Sequence, residues 1–396
     1  MRALGLAALA SLTAAAATAQ RPAGWDTFVR SFDAYAAGDS VVGASVLVVE
    51  RGRVIARHDR GWADRERRQP ADSNTIYHWG SITKTLTAVA VMQLRDRGRL
   101  SLEEPVTRYV PELRDVHNPW GSMDEVTIGM LLSHSAGFQG PTWPWTTGEP
   151  WEPFEPTRWE QLVAMLPYQR LWFAPGSRYG YSNPAFIYLA RVIERITGDA
   201  WQSYVYKDLF GPLGLSRSYF GRTPHHLEAD RSNNYAVVRD SMSAERVVAN
   251  GREFDPGITI PNGGWNAPTD DIARWFAFLA GAAPADSALA RRYEGVLARR
   301  SLREMWQARY LATDPVAGAA VAPDSVGLSV FVLWRHGVRF VGHTGSQAGF
   351  RAFAYLNPAT RAIVIAAFNT RNDAREAESA AGFREIRDRA LALIAR

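Results

Sequence analysis

Residues 81–97 begin Ser81-Ile82-Thr83-Lys84 and continue Thr85-Leu86-Thr87-Ala88-Val89-Ala90-Val91-Met92-Gln93-Leu94 to Arg97. Ile82, Leu86, Val89, Ala90 and Leu94 fall at helical spacing, and Gly98 is a stop signal, so this stretch predicts a helix with Ser81 at its start. Upstream, residues 41–50 form a valine-rich strand pattern, Arg51-Gly52-Arg53 a tight turn, and residues 54–61 the antiparallel partner. The fold is expected to open on this hairpin. Downstream, residues 102–310 are mostly helical in pattern, broken by loops rich in Gly, Pro and Trp. The clearest helix there starts at Asn183-Pro184, a capping residue followed by proline, and runs to Gly198. Another spans 269–279. Strand patterns return at 326–335, 338–343, 350–357 and 362–369, before a final amphipathic helix at about 374–394.

Strands at both ends with helices between them predict an α/β (α+β) fold. One antiparallel sheet is built from the N- and C-terminal segments and flanked by helices, with an all-helical region beside it. The sheet part is expected at about 25–100 and 320–396, the helical region at about 101–319, and the domain as a whole over 20–396.

The first 19 residues carry one early charge at Arg2, an apolar run and the small-residue ending Ala17-Thr18-Ala19, the pattern of a cleaved export signal. The chain is expected to be exported, to a periplasm or outside the cell. No later stretch supplies about 20 uninterrupted apolar residues, so no membrane span is expected. The absence of cysteine rules out disulfides, thiolate chemistry and cysteine-held zinc. The eight histidines include no His-Glu-x-x-His pattern, and no metal or other cofactor is expected. The formal charge is +5 without a basic tract, so no nucleic-acid partner is expected. Of 45 basic residues only Lys84 and Lys207 are lysines. In so arginine-rich a chain, a retained lysine hints at a position that needs an amine able to lose its proton, although chance also explains either one.

On a helix, residues three apart share a face, so the Lys84 amine can reach the Ser81 hydroxyl and take its proton. The helix start adds amide donors and a positive dipole end. A Ser-x-x-Lys pair alone is more often a cap beside a solvated lysine. The second element is Tyr181-Ser182-Asn183. A tyrosine near a cation can lower its own pKa and relay protons, and the Asn183 amide can hold a substrate amide and touch the lysine. Asn183 is also a cap for the helix that follows, and Tyr181 could equally be core. The third element is His343-Thr344-Gly345-Ser346 at a strand end, where glycine lets a ligand approach the backbone and the next amide supplies an oxyanion donor beside that of Ser81.

In this order and spacing, the three elements resemble the penicillin-recognising serine hydrolases, in the class C β-lactamase and D-alanyl-D-alanine carboxypeptidase branch, which also holds esterases and D-aminopeptidases. Leu131-Leu132-Ser133-His134-Ser135-Ala136-Gly137 is similar to that family's Leu-Leu-x-His-x-x-Gly segment. Pro175-Gly176 with residues 179–183, and Gly263-Gly264 with Asp270-Asp271-Ile272-Ala273, match further signatures, and the resemblance covers roughly 28–369. It implies a β-lactamase/transpeptidase-like fold with the site between the sheet and the helical region. It also implies that Ser81 is acylated, that the Lys84–Tyr181 pair moves the proton, that Asn183 binds the substrate amide, and that Ser81 and Ser346 amides hold the oxyanion.

One departure is His343, where many β-lactamases carry a lysine that meets the substrate carboxylate. A histidine is charged only part of the time near neutral pH, which favours the esterase and peptidase members. The loop at 138–156, with Trp143, Trp145 and Trp151, suits an aromatic wall for a bulky group or simple packing. The leading expectation is acyl transfer to water through a Ser81 ester, on a small-molecule ester or amide or a D-amino-acid peptide substrate. A β-lactamase, and a penicillin-binding sensor that acylates without turnover, are the alternatives. An α/β-hydrolase using His134 as base is weaker, because no Gly-x-Ser-x-Gly elbow occurs. Natural substrate and oligomeric state are not fixed by the sequence.

Overall fold

The computed structural model describes residues 21–138, 156–240, 242–282, 287–312 and 323–396. The export-signal pattern of residues 1–19, and Trp143, Trp145 and Trp151, lie outside these residues. Helix α1 (Trp25–Gly38) precedes the predicted hairpin of β1 (Gly43–Glu50) and β2 (Arg53–Asp64). Among the described residues the fold therefore opens on a helix and not on the hairpin. Its Trp25, Phe28, Phe32 and Ala36 recur every three to four residues and are all buried against the sheet.

Helix α2 (Lys84–Asp96) follows, then α3 (Pro184–Thr197) in the helical region. The C-terminal strands are β3 (Phe331–Arg335), β4 (Val338–Gln347), β5 (Phe350–Leu356) and β6 (Ile363–Phe368), and α4 (Glu376–Ala392) closes the chain. Among the described residues the main sheet runs Gln69–Pro70, β2, β1, β6, β5, β4, β3, Ser325–Val326, Tyr310–Leu311, antiparallel at every pairing. The last long strand thus pairs with the first, Val46 opposite Ala366.

Both faces of this sheet are covered, which is why β1 and β6 are almost continuously apolar. Along β1 the side chains alternate. Ala44, Val46 and Val48 join the core under α1 and α4, whereas Leu47 and Val49 join the core under α2. Aromatic contacts such as Phe32 to Phe368 at 5.3 Å and Phe353 to Phe383 at 5.8 Å tie the outer helices down.

The middle of the chain is less uniformly helical than its pattern suggests. It contains a hairpin of Asn234–Arg239 and Glu245–Gly251, to which Thr370–Asn372 adds a parallel strand. A second small sheet joins Ile76–His78, Trp265–Pro268 and Tyr219–Phe220. These strands are short and take partners far away in the chain, so local periodicity carries little trace of them.

Candidate active site

Ser81 lies in a 3₁₀ turn, Gly80–Thr83, that leads into α2. The predicted helix is therefore α-helical only from Lys84 onward. In a 3₁₀ turn residues i and i+3 eclipse, which brings Lys84 over Ser81 more directly than an α-helix would. The turn is braced on two sides: Thr83 Oγ1 donates to the Gly80 carbonyl at 2.6 Å and accepts from the Trp265 amide at 3.0 Å.

Lys84 Nζ stands 3.0 Å from Ser81 Oγ and donates to the Asn262 main-chain carbonyl at 2.8 Å. The residue is fully buried, lies over the rings of Tyr181 and Phe186, and has no carboxylate partner among the described residues. Loss of hydration pushes its amine well below the ordinary lysine pKa. The sequence singled out the glycine pair at 263–264 only as a signature. Its role here is to let residues 260–264 pack tightly: a Cβ on Gly263 would sit 2.4 Å from Gln347 Oε1, and one on Gly264 2.8 Å from the Ile260 Cα.

Tyr181 and Ser81 share a hydrogen bond, which only partly offsets the effect of burial, and the phenol pKa is raised. This corrects the expectation of a lowered tyrosine pKa. A neutral amine offers the phenol no cation, so desolvation wins. The expected cap is also displaced by one residue. Ser182 Oγ, and not the Asn183 side chain, accepts the Ala185 amide at the start of α3. Asn183 is consequently left free of capping. Among the described residues no hydrogen bond joins its side chain to Lys84, and its carbonyl accepts from Asn262 Nδ2 at 3.2 Å.

His343, Thr344, Gly345 and Ser346 all lie within β4, which runs past the predicted end at residue 343 to Gln347. The β3–β4 ladder stops at the Phe331–Gly342 pair, so, among the described residues, positions 343–347 pair only with β5 and keep an open edge. At Gly345 a Cβ would sit 2.0 Å from the Trp79 carbonyl, and at Gly80 it would sit 2.9 Å from the Ser346 amide nitrogen. These two close approaches bring the Ser346 amide against the Ser81 turn.

His343 departs from its expected part-charged state. It is buried, stacks on Phe331 at 4.1 Å, and its Nδ1 lies 2.5 Å from the Thr344 carbonyl. Burial is the chief cause that pushes its pKa down to about 3, so the ring is neutral and forms part of the wall. His134 is buried too, with its ring 4.6 Å from that of Tyr181 and its Nδ1 accepting the Ser182 amide at 3.0 Å. Among the described contacts it makes no bond to Ser81, which removes the reading of His134 as the serine's base.

A family model described as Beta-lactamase matches residues 28–388. Esterase EstB of Burkholderia gladioli is 31% identical over 261 residues, 59% of this chain and 64% of that protein. Protein flp of Staphylococcus aureus (strain COL) is 26% identical over 238 residues, 60% of this chain and 45% of its own length. The alignments thus span about half to under two thirds of these relatives. Among solved structures, the octameric penicillin-binding protein homologue from Pyrococcus abyssi superposes with a TM-score of 0.74 at 25% identity, covering 93% of this chain and 77% of that one. A class C beta-lactamase superposes at 0.67 with 19% identity over 91% and 95%, a likeness of fold.

Proposed function

The chain belongs to the beta-lactamase family, whose fold is that of serine hydrolases, and from that premise we propose that it hydrolyses an ester, an amide or a D-amino-acid peptide through an ester on Ser81. The observation that carries this reading is the 3.0 Å contact between Ser81 Oγ and a buried, depressed-pKa amine. With the hydroxyl donating, that contact becomes the first proton transfer. Ser81 Oγ bonds to the carbonyl carbon while its proton moves to Lys84 Nζ. The negative oxygen of the tetrahedral intermediate faces the Ser81 and Ser346 amides. Collapse expels the alcohol or amine, which takes the proton back through the Tyr181 hydroxyl. Water then attacks the Ser81 ester by the reverse path and restores the serine. Asn183, free of capping, holds the acyl amide, and the open edge of residues 343–347 receives the substrate backbone.

In this reading Lys84 is the base, and Tyr181, whose pKa is raised, stays a protonated relay. The neutral His343 leaves no permanent cation for a β-lactam carboxylate, which supports an esterase or D-peptidase over a β-lactamase, as does the similarity to an esterase. The first 19 residues support export, and the exported chain would begin at Gln20.

The test is a panel of aryl esters, D-alanyl-D-alanine peptides and a chromogenic cephalosporin, run on wild type and Ser81→Ala. The expected result is turnover of an ester or peptide, reduced at least about 10³-fold by the substitution. Undiminished turnover by Ser81→Ala would sink the reading. Rapid cephalosporin turnover would mark a β-lactamase instead, and a stable label on Ser81 without turnover would mark a sensor.

A further inference from the structure

The Tyr181 turn is contacted at three consecutive residues by His134, from a distant segment. His134 grips three consecutive residues at once. Its carbonyl accepts the Gly180 amide at 2.8 Å. Its ring lies along the Tyr181 ring at 4.6 Å with a 26° interplanar angle. Its Nδ1 accepts the Ser182 amide at 3.0 Å. The same Ser182 caps α3, which anchors the far side of the turn independently of His134.

The backbone of His134 is itself unusual. Its φ is +55°, a left-handed conformation that few residues with a Cβ adopt, histidine and asparagine among them. Its neighbours secure this conformation. Ser133 and Ser135 share a side-chain hydrogen bond at 3.0 Å, the Ser135 amide donates to Met130, and the Ser135 carbonyl accepts from Gly176. Phe186 at 5.1 Å and Tyr179 at 5.9 Å confine the ring. Nothing in the reaction uses this imidazole, yet it is 1% exposed and its Nδ1 is committed as an acceptor.

We propose that His134 is the positioning residue for Tyr181, holding the phenol on Ser81 through simultaneous contacts to residues 180, 181 and 182. The proposal rests on the reading of Ser81 and Tyr181 as reacting groups. It predicts that the two aromatic residues act as one unit. Phenylalanine at 134 keeps the stacked ring but leaves the Ser182 amide unpaired, so the phenol loses its register while the substrate site stays in place.

The test is a double-mutant cycle on the best aryl ester, with kcat expressed per active site titrated by a phosphonate. His134→Phe is expected to lower kcat about 10²-fold with KM within about threefold, and the His134→Phe/Tyr181→Phe double variant to be no slower than Tyr181→Phe alone. Independent, multiplying losses, or a wild-type kcat for His134→Phe, would overturn the proposal. A merely structural role would lower the number of titrated sites and the melting temperature without changing kcat per site. Should His134→Phe fail to fold, His134→Asn replaces it in the same cycle, since asparagine tolerates the backbone and its Oδ1 can accept the Ser182 amide. Its smaller loss of kcat must again vanish in the Tyr181→Phe background, and persistence there would count against the proposal. Wild-type turnover by Ser81→Ala would identify the serine-ester reading itself as the failure, and the proposal would fall with it.

Discussion

Of the two lysines that this arginine-rich chain retains, one is buried with no counter-charge among the described residues and the other is a surface residue paired with Asp199. The difference bears directly on the first. A guanidinium keeps its proton, so Lys84→Arg places a fixed cation where the proposed reaction needs a neutral amine. Turnover is expected to fall nearly as far as in Ser81→Ala, and a variant with more than about a tenth of wild-type kcat would contradict a base at Lys84. The direction of the pKa shift also sets the pH dependence. With Lys84 as the proposed base, activity is expected where Lys84 is neutral and is expected to be lost as pH falls through its depressed pKa. The acid limb of kcat/KM should therefore lie well below the ordinary lysine value of about 10.4, and a limb at that value would mean that the amine titrates as a solvated one.

At the scale of elements, α3 and β4 carry separable tasks. Because Ser182 supplies the cap, Ser182→Ala should cost about 1 kcal/mol in urea unfolding. Asn183→Ala should leave stability within about 0.5 kcal/mol of wild type while lowering turnover. The reverse pattern would return the capping role to Asn183. In β4, Gly345→Ala introduces a methyl group 2.0 Å from the Trp79 carbonyl, a backbone atom that cannot swing aside. The strand must then retreat from the Ser81 turn, and kcat is expected to fall by about 10²-fold or more, as loss of an oxyanion donor does. Unchanged kcat would mean that the Ser346 amide takes no part.

Across the whole molecule, several buried histidines couple stability to pH. His78 sits between Asn266 and Gln347 with its pKa pushed down to about 4, and that of His343 is pushed to about 3, in both cases chiefly by burial. The unfolded chain binds protons at these groups below about pH 6.5, whereas the folded chain does not. Stability held above that pH is therefore lost as pH falls from about 6.5 toward 4 and then 3. At pH 5 the loss is on the order of 2 kcal/mol for each. Urea midpoints measured from pH 7.5 to 5 should fall, and fall less in His78→Gln and His343→Gln. A flat profile down to about pH 4.5, where carboxylates take over, would show that these rings are solvated.

The sequence alone determined the sheet-forming ends and the major helices, and it singled out Ser81, Lys84, Tyr181 and Gly345 as the candidate site. Each is written in local periodicity or in a short motif whose chemistry is fixed by residue type. Helix α1 escaped that reading although its apolar spacing is regular, and the short strands of the middle escaped because their partners lie far along the chain. Only the tertiary structure decided the protonation of the site. Whether Lys84 and His343 carry charge, which residue caps α3, and that Asn262 and His134 meet the Ser81–Tyr181 centre all depend on what distant segments exclude or supply. Hydration and hydrogen-bond partners are properties of the assembled interior, and no local spacing encodes them.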